Sequence, residues 1–154
     1  MISTLDAINK AINKLDDEEM LVNNRILTHS YIEDALEIPE AVTIKDDREN
    51  RMMLLERFTA LRDYLLTERK IALKSLQGIG YQVIPPNEQA EYAAELSSKL
   101  IKKAIQKGSE LMENTRTEEL FSSDRKRHFD AQVKMQGINS IISRERRNML
   151  AIVK

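Results

Sequence analysis

One stretch, residues 51–86, constrains this chain more than any other. A charged helical pattern with Leu54, Phe58, Leu61 and Leu65 on one face leads directly into a short, loosely alternating segment, 71–76. Gly78-Ile79-Gly80 follows, then a second short segment, 81–84, closed by Pro85-Pro86. Glycine at both 78 and 80 permits the positive φ that hairpin tips commonly require. The pattern predicts a helix that feeds straight into a two-stranded ribbon.

The flanking sequence is helical. Leu5, Ile8, Ile12 and Leu15 recur at three- and four-residue steps, which predicts an amphipathic helix over 3–15 capped by Ser3 or Thr4. Asp16-Asp17-Glu18-Glu19 then either extends that helix or opens a loop. Ser30 and Glu33 have capping-box spacing, so a short second helix is expected from Ser30 to before Pro39, with Ile32, Ala35 and Leu36 inward. Residues 39–48 read as a polar connection with a short strand at 41–44, and the third helix as about 47–70. Beyond Pro86, Asn87 is the expected N-cap of a helix reaching about Glu113, with Ala93, Leu96, Leu100, Ala104 and Leu111 at helical spacing. A last helix is expected over 123–151, carrying Phe129, Val133, Ile138, Ile141, Ile142 and Met149. Gly108 and Gly137 fall inside these two helices. The predicted fold is mainly α with a small β-hairpin, divided into a first domain, 1–86, and a helical hairpin, 87–154.

Composition narrows the chemistry. With no cysteine, disulfides, thiol catalysis and cysteine-based zinc sites are excluded. No run approaches the length of a membrane span, and the first residues lack a signal-peptide pattern, so a cytoplasmic protein is expected. His29 and His128, the only histidines, are far apart in sequence. No glycine-rich phosphate loop is present, and the acidic pairs Asp16-Asp17, Asp46-Asp47 and Glu118-Glu119 do not form a convergent metal set. Neither an enzyme nor a cofactor is expected. Net charge is −1, yet residues 1–50 hold 5 basic and 12 acidic side chains (−7) while residues 51–154 hold 19 and 13 (+6). The basic half suggests an anionic partner, or attraction between the two halves within one chain or across a dimer.

Leu73-Lys74-Ser75-Leu76-Gln77-Gly78-Ile79-Gly80-Tyr81-Gln82-Val83 resembles the wing of the winged helix-turn-helix superfamily, and especially that of the effector domains of bacterial response regulators. The preceding Leu61-Arg62-Asp63-Tyr64-Leu65-Leu66 takes the place of the recognition helix. The resemblance covers residues 51–86. It departs from the family pattern at Gln77, often Arg there, at Gln82, where basic residues are common, and in a long linker over 36–51. The whole arrangement is also similar, more faintly, to small bacteriophage-encoded proteins of unassigned role.

The resemblance implies a DNA-binding regulator. The third helix would enter the major groove of duplex DNA with Arg62, Arg57 and Arg69 near bases or phosphates, and Lys74 and the tip from Gln77 to Gln82 would touch the backbone or minor groove. Arg57, Arg62 and Arg69 have no acid three or four residues away, so they are expected to be free for a partner. Arg125-Lys126-Arg127 would extend that surface, or flank a hairpin, or meet the acidic first 50 residues of a partner subunit. The apolar stripes of the last two helices suggest a homodimer interface. The alternative reading is a helical protein-interaction module, for example a phage-encoded modulator of a host complex, that keeps the wing as scaffold.

Overall fold

A computed structural model describes residues 3–152. The chain is mainly helical with one small three-stranded antiparallel sheet. It divides into two compact units, one ending at Gln89 and one beginning at Ala90.

The first unit runs α1 (Thr4–Asp17), β1 (Ile26–Thr28), α2 (His29–Ala35), α3 (Ile44–Thr67), β2 (Ala72–Leu76) and β3 (Gly80–Ile84). Strand β3 is central, between β1 and β2. Its register places Leu73 opposite Val83 and Leu27 opposite Tyr81. Ile8, Ala11, Ile12 and Leu15 of α1 pack with Leu27, with Ile32 and Ala35 of α2, and with Leu36 just beyond α2. Phe58, Leu61 and Leu65 of α3 complete this core with Leu73 and Val83. The α3 face that the sequence predicts to be apolar is thus the face that enters the core.

Several boundaries differ from the sequence reading, each for a local reason. The N-cap of α2 is Thr28, whose Oγ1 accepts from the Tyr31 amide at 3.2 Å, so the helix starts before Ser30. No strand forms at 41–44. There Thr43 caps α3 in a reciprocal box: Asp46 N donates to Thr43 Oγ1 at 3.2 Å, and Thr43 N to Asp46 Oδ2 at 2.8 Å. The early start of α3 shortens its connection from α2 to residues 36–43. Helix α1 continues through Asp16 and Asp17.

Strand β1 was not anticipated, and Gly80 explains how it fits. Gly80 lies opposite Thr28 with φ 152°, and a Cβ built there would fall 2.0 Å from the Leu27 carbonyl oxygen. Gly78 has φ 75° and open space around it. The two glycines therefore serve different ends: one turns the chain, the other lets β1 approach.

The second unit holds α4 (Gln89–Glu113, from the boundary residue onward) and α5 (Ser122–Ile152). They are antiparallel: Ile101 shares a groove with Ile142 and Met149, and Gly108 meets Met135 across the seam. Both helices are continuous through Gly108 and Gly137. The seam mixes Ile101, Ile105 and Ile142 with Gln106, Glu110, Asn139 and Arg146 around an open groove of about 530 Å³. The stripe through Leu96, Leu100 and Leu111 of α4 is exposed; the buried residues of α4 are Ala94 and Ser98. No described side chain of α5 is buried.

Candidate interaction surface

The residues expected to form one basic face are dispersed. Arg57 is 3% exposed, and its Nη1 donates to the carbonyls of Leu36 at 2.7 Å and Glu37 at 3.2 Å. Those are the carbonyls of the α2 C-cap and of the residue after it, which have no partner within the helix. The expectation that Arg57 is free for a partner is therefore corrected: the absence of an acid nearby on α3 left it available to α2. Arg69 donates through Nη2 to Asp16 Oδ2 at 2.6 Å, so it too has a partner, across 53 positions of sequence. Hydrogen bonding to Tyr64, followed by the Asp16 charge, raises its pKa further.

Lys74 is half-buried and engaged within the molecule. Gln82, also half-buried, donates through Nε2 to Asn24 Oδ1 at 3.1 Å, bracing β3 against the chain before β1. The side chains of Arg62 and Gln77 are exposed and make no hydrogen bond or ion pair with another described residue. Arg125, Lys126 and Arg127 lie in the second unit. Arg125 donates to the carbonyls of Thr117 at 3.1 Å and Leu120 at 3.3 Å, Arg127 pairs with Asp124 at 3.8 Å, and Lys126 is exposed.

The outward face of α3 is more apolar than basic. Met52 is 65% exposed, Leu55 62% and Leu66 51%, with Thr59 and Arg62 on the same ridge. Beside this ridge runs a shallow groove of about 720 Å³ between α3 and the start of α1, lined by half-buried Met53 and Ala60 and edged by Met52 and Leu55 of the ridge. Glu49, Glu56 and Asp63 stand along it at seven-residue intervals. Two helical turns separate successive members, so the three carboxylates form one rim with a spacing of about 10.5 Å. Thr4 donates to Glu56 Oε1 at 2.8 Å, and Lys45 approaches Glu49 at 3.7 Å. Asp63 has no ion pair with a described residue. The seven-residue spacing of these acids is visible in the sequence, but on a long charged helix such spacing alone does not distinguish a groove rim from a solvated face.

Other polar groups have structural roles. His29 packs edge-on against Tyr81, ring centroids 5.7 Å apart, and Tyr81 stacks on Phe58 at 4.3 Å. The Tyr31 hydroxyl is buried without a hydrogen-bond partner among the described residues; burial, with Glu18 and Asp34 nearby, pushes its pKa up to about 12. No group of three His, Cys, Asp or Glu suited to a metal occurs among the described residues. No described helix is long and apolar enough to cross a membrane. No protein-family model matches the chain, and no curated protein or solved structure matches it.

Proposed function

We propose that this chain is a non-enzymatic protein-interaction module, built on a winged-helix-like scaffold, that meets another polypeptide through α3. One observation carries this reading. The helix in the recognition-helix position exposes Met52, Leu55 and Leu66, while Arg57 is withdrawn into the α2–α3 junction and Arg69 is held by Asp16. Burying such side chains against a protein contributes about 1.5–3 kcal/mol each, whereas duplex DNA offers them little beyond thymine methyl groups. The acidic rim beside the ridge would also repel a phosphate backbone.

The scaffold itself favours a second reading, a DNA-binding regulator. The element order α1-β1-α2-α3-β2-β3, a sheet with β3 between β1 and β2, and the glycine-tipped β2–β3 hairpin fit a winged helix. In this reading exposed Arg62 and Gln77 would touch duplex DNA. In either reading the C-terminal helices, with their exposed apolar residues, serve homodimerisation.

Fluorescence anisotropy with random duplex DNA separates the two. The expected result is no binding at low salt. Binding that falls steeply as salt rises and weakens in Arg62→Ala would instead select the DNA reading.

A further inference from the structure

Two surfaces in the two units complement each other in chemistry and in spacing. The groove of the first unit has an apolar floor and a rim of Glu49, Glu56 and Asp63. The outward side of α5 carries Arg127 and Lys134, with Asp130 between them, beside exposed apolar residues: Val133 is 68% exposed, Ile138 49% and Ile141 57%. Arg127 and Lys134 stand seven residues apart on α5, the interval that separates Glu49 from Glu56 and Glu56 from Asp63. Two helices laid side by side with charges at that repeat can pair cation with carboxylate at successive positions. Neither basic side chain has a strong alternative partner. Lys134 has no ion pair with a described residue, and Arg127 meets Asp124 only at 3.8 Å.

We infer that the acid-rimmed groove between α1 and α3 is the docking site for the outward face of α5 from a second copy of this chain. This deepens the proposed function, and it rests on that reading's assignment of α3 as a protein-binding helix. The arrangement is reciprocal, since each copy contributes one groove and one α5. Helix α5 is basic in its own right, with 7 basic and 3 acidic side chains over Ser122–Ile152. The arrangement also covers apolar surface that a 31-residue helix with no buried described side chain otherwise leaves in water.

The test is sedimentation velocity on the full chain across concentration, with circular dichroism to verify that each variant is folded. All four substituted positions are exposed, so folding should survive. Wild type is expected to sediment at twice the mass of one 17.8 kDa chain and to dissociate as salt rises. The groove variant Glu56→Lys/Asp63→Lys and the arm variant Arg127→Glu/Lys134→Glu should each self-associate at least tenfold more weakly. Mixing the two, or combining all four changes in one chain, should restore association. A wild-type monomer at every concentration overturns the inference, as does a dimer indifferent to the reversals or one that the combined changes fail to restore. None of those outcomes depends on duplex DNA, so the inference can fail while the protein-interaction reading stands. Salt-steep DNA binding through Arg62 would remove the reading itself.

Discussion

At the scale of single residues, the chain spends charge on architecture where a surface role was expected. Arg57 shows this most clearly. Its guanidinium supplies donors to carbonyls at the end of α2, where the backbone has exhausted its own. Arg57→Ala should destabilise the first unit by about 2–3 kcal/mol, the scale of a charged hydrogen bond lost inside a protein, read as a shift in urea midpoint. A surface arginine would cost almost nothing, so a change under about 0.5 kcal/mol would refute the assigned role. Tyr31 makes the opposite case, a buried hydroxyl without a partner among the described residues. Its folded pKa of about 12 lies above the ordinary 10.0. The associated stability is therefore complete below pH 10 and is lost as pH rises through 12. Tyr31→Phe should be nearly neutral at pH 7 and should flatten the alkaline loss of stability, both measurable by denaturant titration at several pH values.

Elements show what periodicity can and cannot reveal. Helices α1 and α3 and the β2–β3 hairpin were legible because each is long enough, or punctuated strongly enough, to declare its inward face. Strand β1 has three residues, Ile26-Leu27-Thr28, too few for any repeat to stand out. Its trace in the sequence is Gly80, which allows β1 to lie against β3. Gly80→Ala should consequently disrupt the sheet and cost far more stability than Gly78→Ala, where only the positive φ is strained. Thermal unfolding of the pair checks this, and equal losses would argue against the β1–β3 contact. Helix α3 starts earlier than its apolar periodicity indicates because Thr43 and Asp46, inside a polar stretch, have the capping-box spacing. Thr43→Ala should cost about 1 kcal/mol. Hydrogen bonding from Thr43 holds the Asp46 carboxyl below its usual range. The box therefore stabilises α3 above the ordinary carboxylate pKa and loses that contribution as pH falls through the lowered value. In Thr43→Ala, this acid sensitivity should shrink, because the hydroxyl is lost while the backbone amide of residue 43 still donates to Asp46.

Across the whole molecule, the two units differ in what they bury. The first encloses a continuous core drawn from α1, α2, α3 and all three strands. In the second, helices of 25 and 31 residues meet along a partly polar seam and leave Leu100, Leu111, Val133 and Ile141 exposed. Amide hydrogen exchange should therefore be faster along α5 than along the buried face of α3 in dilute solution. Equal protection at concentrations where the protein is monomeric would contradict that ordering. The candidate site was the least legible feature. Arginine spacing on α3 indicated freedom from local pairing, but long-range partners at Leu36 and Asp16 decided where Arg57 and Arg69 went. The apolar ridge at Met52, Leu55 and Leu66 lies off the inward face that the sequence pattern emphasised. The most direct test of what that ridge meets places a photo-crosslinking amino acid at position 55 and irradiates the protein in its native extract. A protease-sensitive, nuclease-resistant adduct is the predicted result. A nuclease-sensitive adduct, or none, would contradict the assignment of α3 as a protein-binding helix.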